Sequence, residues 1–128
     1  MLVAEKWVQG ELYPSVNNTD KQITRGLLSD YTKKKQSVAA LANKQTLTVQ
    51  QKQIYQRDKE LVENITLAFE LIQDEEVKRI IEHRFFKSRR HKNTSIHFRN
   101  IMGERTIERR IDKGIESIAD SLKLWGII

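Results

Sequence analysis

Residues 104–123 read ERTIERRIDKGIESIADSLK. Within them Ile107, Ile111, Ile115, Ile118 and Leu122 recur at steps of four, four, three and four. That spacing keeps all five on one helix face, so it predicts a buried stripe. The opposite side near the start carries Arg105, Glu108, Arg109 and Asp112. Immediately upstream, Met102-Gly103 marks a turn, with Gly103 a weak N-cap. Before the turn, Thr94 or Ser95 is placed to start a short helix, 95–101, that buries Ile96, Phe98 and Ile101. A short helix, a tight turn and a longer helix with cations at its N-terminal end is the layout of a helix-turn-helix. An ordinary helical hairpin has the same periodicity.

Further upstream the chain stays helical. Asp74-Glu75-Glu76 puts negative charge where a helix N-terminus favours it, and Val77, Ile80, Ile81 and Phe85 form the apolar face that follows. Ile54, Leu61, Ile65, Ala68 and Ile72 form one seam over a helix of residues 49–73, capped by Thr46 or Thr48. Such a seam serves equally inside the domain or against a second subunit. Thr19 or Asp20 caps an earlier helix to about residue 43, with Ile23, Leu27, Tyr31, Val38 and Leu41 near helical spacing. Lys33-Lys34-Lys35 interrupts that stripe as a solvated middle or a kink. Residues 1–18 are poorly periodic and read as an N-terminal arm or short helix.

Composition agrees with this all-α reading. The chain has 128 residues with 38% hydrophobic and 31% charged, within the globular range, and only Gly 5 and Pro 1 to break helices. Cys 0 removes disulfide scaffolds, thiol catalysis and cysteine-based metal centres. No apolar stretch reaches the roughly 20 residues that span a bilayer, and the N-terminus lacks a signal-peptide pattern, so a cytoplasmic protein is expected.

The charge is unevenly placed. Residues 87–113 hold nine basic and three acidic residues, a surplus of +6 that equals the net charge of the whole chain. Residues 87–103 contain no acid at all. A charge run is ordinarily a solvated face. Concentration of the entire surplus in one segment points instead to a phosphate-facing surface.

The runs DEEVKRIIEHRFF (74–86) and TSIHFRNIMGERTIERRIDKGIESIADSL (94–122) carry a resemblance. They are similar to region 4 of bacterial sigma factors, and more closely to the small phage regulators of the ArpU/RinA type, through the strings IIEHRFF (80–86) and GERTIERR (103–110). The resemblance covers about the last two-fifths of the chain. It implies two long N-terminal helices followed by a sigma-region-4-like helix-turn-helix module, in a phage protein of the bacterial cytoplasm. It further implies an activator of late packaging and morphogenesis genes, acting beside promoter DNA and touching host RNA polymerase. The expected division is an arm at 1–18, a helical region at 19–73 for oligomerisation or partner contact, and a DNA-binding module at 74–128. Two rival readings are a phage small terminase subunit and a sigma-like protein-interaction module that barely touches DNA.

Residue roles follow from the layout. Arg105 and Arg109 lie four apart on the side away from the stripe, with Glu108 beside them and Glu104 at the helix start. A guanidinium pairs bidentately with guanine and a carboxylate accepts from cytosine N4, so these four are candidate base readers. The alternative is that both arginines form ion pairs with Glu108 and Asp112 and never meet a base. Lys87, Arg89, Arg90, Lys92, Thr94, Arg99, Thr106, Arg110 and Lys113 are candidate phosphate contacts. His83, His91 and His97 are spaced so that no two share a helix face at i, i+4, so no metal site is expected. Asp74, Glu75 and Glu76 are dipole partners rather than catalysts. With no phosphate-cradling glycine loop and no nucleophile motif, neither an enzyme nor a cofactor is expected. Trp7, Trp125, Phe85 and Phe86 read as core or interface anchors. Phe85 and Phe86 cannot both face one way on a regular helix.

Overall fold

The first three helices begin where side chains close on the backbone. In the computed structural model, which describes residues 15–87 and 90–128, the elements are α1 (Asn18–Ala42), α2 (Val49–Glu70), α3 (Glu75–Ile81), α4 (His91–Phe98) and α5 (Glu104–Leu124). A π-helical segment, Glu82–Lys87, continues α3. The described residues contain no strand and no helix long and apolar enough to cross a membrane. Most of the 1–18 arm, Trp7 and Arg89 lie outside the described residues.

Three helix starts are capped by side chains. Thr48 and Gln51 form a reciprocal capping box at α2. Asp74 accepts from the Glu76 and Val77 backbone N–H groups at α3. The start of α1 differs from expectation: Asn17 is the cap, and Asp20 is its reciprocal partner at the third helical position. At the other end of the chain, Gly126 (φ 76°) closes α5. The Ile127 N–H bonds the Leu122 carbonyl at 2.8 Å and the Gly126 N–H bonds Lys123 at 3.1 Å, a Schellman closure.

One core runs through all five helices. Leu28 and Tyr31 of α1, with Ile65, Ala68 and Ile72 from α2 and its exit, pack with Val77, Ile80, Ile81 and Phe85. Phe98 and the α5 stripe of Ile107, Ile111, Ile115, Ile118 and Leu122 complete that core. The predicted stripes of α3 and α5 are therefore buried, and they meet across Gly114. A Cβ there would overlap Ile81 Cγ1 and lie 2.5 Å from its Cδ1 and 3.2 Å from Val77 Cγ1. The core also crosses the 73/74 boundary at which the sequence suggested two regions.

Several local expectations are corrected. α1 buries Leu28 and Thr24, while Ile23 is 46% exposed. The inward face runs Asp20, Thr24, Leu28, Tyr31: Asp20 is held there by the Asn17 N–H and by Lys123, whereas the buried Thr24 hydroxyl has no hydrogen-bond partner among the described residues. The lysine triplet is the solvated middle of a continuous helix, with Lys33 and Lys35 exposed, although Lys34 turns to the buried Asp58 at 3.4 Å. α4 starts at His91, not Thr94 or Ser95, and Ile96 (49%) and Ile101 (74%) are exposed. Placing Thr94 and Phe98 one turn apart on the buried side forces Ile96 outward. Trp125 sits at the C-cap of α5 and is 40% exposed, so it is no core anchor.

Candidate nucleic-acid interface

The last two-fifths of the chain forms three successive helical elements. α3 with its π segment supports α5 through the Gly114 contact, and α4 is held against the π segment by polar and ring contacts. His83 Nδ1 lies 3.0 Å from Thr94 Oγ1. The His83 ring stacks on His97 at 4.4 Å between centroids and meets the edge of Phe98 at 5.7 Å. Residues 99–103 then turn the chain, with the Ile101 and Met102 N–H groups bonded to the Phe98 carbonyl at 2.9 and 3.0 Å. Gly103 is the N-cap of α5 and makes no side-chain cap bond.

Charged side chains tie α5 to three neighbouring helices along its length. Towards α3, Arg110 lies 3.4 Å from Glu76 and 3.6 Å from Asp74. Towards α1, Lys21 engages Asp112 at 3.2 Å and Glu116 at 3.4 Å, which raises the lysine pKa chiefly through the Asp112 hydrogen bond. Lys123 meets Asp20 at 2.6 Å and holds that carboxyl below its ordinary range. Towards α4, His91 Nε2 lies 3.6 Å from Glu108 and 3.9 Å from Glu104.

Between these ties Arg105, Arg109 and Lys113 follow one another at steps of four along the exposed face. Among the described residues, Arg105 and Arg109 have no ion-pair partner within 4.0 Å. The acids that would have neutralised them, Glu108 and Asp112, are turned to His91 and Lys21. Lys92 and Arg99 are exposed nearby, on α4 and in the turn.

The remaining site candidates divide by position. Glu104 and Glu108 are open to solvent but lean toward α4 rather than standing in line with the arginines. Lys87 is exposed and pairs with Glu82 at 3.0 Å. Arg90 is exposed and its carbonyl accepts from Thr94. Thr106 is half-buried. Two phosphate candidates are better explained as structural. Thr94 is fully buried with its hydroxyl on His83, out of reach of any phosphate. Arg110, the second, is drawn to the acids at the head of α3.

The residue that sequence reasoning missed is His91. Spacing rules compare positions on one helix, whereas His91 meets Glu104 and Glu108 from a different helix across a turn. Its imidazole nitrogen and the two carboxylate oxygens lie within 4.8 Å of one another, a donor set able to hold a metal ion. His83 and His97, with Lys87, Asn93 and Ile96, line a shallow open cleft on the same side of the π segment. Burial lowers the pKa of His83, with smaller contributions from His97 and Lys87. Comparison of the chain with known protein families, curated proteins and solved structures found no match.

Proposed function

We propose that this protein binds double-stranded DNA sequence-specifically and regulates transcription, with α5 as the recognition helix of a helix-turn-helix formed with α4. The observation that carries the reading is the row of Arg105, Arg109 and Lys113 on the open face of α5. Its two arginines have no ion-pair partner among the described residues because neighbouring acids are engaged elsewhere. An unpaired guanidinium on the first turns of such a helix is free to pair with guanine in the major groove. Lys92 and Arg99 flank the row as phosphate contacts, which add affinity without sequence information. A sigma-like module that binds only proteins would favour an acidic surface over residues 94–113, where five basic residues stand against three acidic ones. Activation of late phage genes beside host RNA polymerase is the finer role, and it rests on the sequence resemblance.

The test is binding of the full chain to DNA fragments tiled across the genome that encodes it, at two salt concentrations. The reading expects one or a few fragments bound far above the rest at both concentrations, with overall affinity falling as salt rises. Equal binding to all fragments would remove the regulator, and no binding would remove the nucleic-acid reading.

A further inference from the structure

The geometry points to a divalent transition-metal site formed by His91, Glu104 and Glu108, an ion of the zinc class that would clamp α4 to the head of α5. The donors are one imidazole nitrogen and two carboxylate oxygens, all within 4.8 Å of one another. His91 Nε2 stands 3.6 Å from Glu108 Oε1 and 3.9 Å from Glu104 Oε1. Around a tetrahedral Zn²⁺ with bonds near 2.1 Å, neighbouring donors lie about 3.4 Å apart. The two imidazole–carboxylate gaps therefore need to shorten by only a few tenths of an ångström. Both glutamate side chains are largely exposed, so the shift costs no repacking. Ser95 Oγ, 3.3 Å from the same imidazole nitrogen, adds a further polar oxygen beside the set.

Charge favours a cation over a simple ion pair. Two carboxylates opposite one imidazole stay net negative whether or not the ring is protonated. Among the described residues, His91 is the only basic side chain within ion-pair distance of either carboxylate. The positive end of the α5 dipole, equivalent to roughly half a charge, offsets this only partly. The mixed nitrogen and oxygen donor set selects among ions: magnesium and calcium prefer oxygen alone and cuprous copper prefers sulfur, which leaves zinc and its neighbours.

Binding would tie the two helices together across residues 99–103. It would also cancel the negative charge beside Arg105 and Arg109, so the metal-loaded protein should hold DNA more tightly. That last consequence rests on the DNA-binding reading; the site itself does not.

The experiment uses the full chain stripped with chelator and titrated with ZnCl2 by calorimetry, with Co²⁺ as a spectroscopic probe. The expected result is one Zn²⁺ per chain, a higher melting temperature, and the intense visible bands of low-symmetry Co²⁺. His91→Asn and Glu108→Gln should each weaken binding by at least about tenfold, since even the groups that only hydrogen-bond to metal ligands are worth roughly 10–100-fold. Both variants should keep the helical circular dichroism, and a His83→Asn/His97→Asn double variant should bind as the parent does. Absence of saturable one-to-one binding, or binding that survives His91→Asn, would overturn the site. DNA affinity is then measured with chelator and with Zn²⁺. Unchanged affinity on a loaded protein would overturn the coupling alone, whereas loss of all DNA binding in both states would sink the function reading and leave the metal result standing.

Discussion

At the scale of single residues, two neighbours on α5 carry opposite assignments. Arg109 stands on the open face, and Arg110 turns toward Glu76 and Asp74 at the head of α3. Arg109→Ala should leave the melting temperature unchanged and cost about 1–3 kcal/mol on the cognate site, relaxing preference at one or two base pairs. Arg110→Ala should do the reverse, lowering thermal stability with little change in base preference. Equal loss on cognate and random DNA from Arg109→Ala would reduce it to a phosphate contact. His83 adds a pH dependence. Its folded pKa is depressed, first by burial and then by His97 and Lys87, so the unfolded chain takes up the proton more readily. The contribution is fully present above the unfolded value of about 6.5 and is lost as pH falls from there through the folded value. Urea unfolding at neutral pH and near pH 5 should show the parent losing more stability on acidification than His83→Gln. Parallel losses in the two proteins would show that the imidazole is not the titrating group.

At the scale of elements, the π segment and Gly114 set how the last three helices meet. Phe85 is fully buried, yet Phe86 also packs inward, 4.4 Å from the Tyr31 ring and 5.0 Å from Phe69. A regular helix would point one of the pair away. The wider turn of residues 82–87 shifts the helical phase so that both reach the core. Gly114 has the complementary role on α5: its missing side chain lets Ile81 approach the backbone. Gly114→Ala should gain roughly 1 kcal/mol in helix propensity, but the fully buried Ile81 has nowhere to move. Overpacking of that kind costs about 1–3 kcal/mol, so the net expectation is a lower unfolding midpoint in urea. A rise in the midpoint would mean that α3 can slide away from α5.

At the scale of the whole molecule, the surplus of positive charge and the shared core are separate facts with separate consequences. Replacing Lys92, Arg99 and Lys113 together with Ala should reduce the slope of log affinity against log salt by about 0.9 for each phosphate no longer neutralised, while the ratio of cognate to random binding stays near its parent value. A collapsed ratio with an unchanged slope would make these residues base readers. The core tests differently. Ile111 joins a cluster that includes Leu28 of α1 and Ile65 of α2, so Ile111→Ala should destabilise by about 2–5 kcal/mol. Loss of the helical signal should then be a single transition for residues on both sides of position 73.

Spacing along the chain was enough for the all-α class, the buried faces of α3 and α5, the acidic start of α3, the choice of Thr46 or Thr48 as the cap of α2, and the outward direction of Arg105 and Arg109. Each depends on relations within one helix, where a period of 3.6 residues makes position along the chain equivalent to position around it. Packing between helices settled the rest. Thr94 went inside because His83 and Phe98 wait there, and Ile96 and Ile101 were exposed as a result. Arg110 became a strut while Arg109 stayed open, and His91 found Glu104 and Glu108. These outcomes depend on distances between helices, which arise only when the apolar stripes have packed. No periodicity along a single element encodes them.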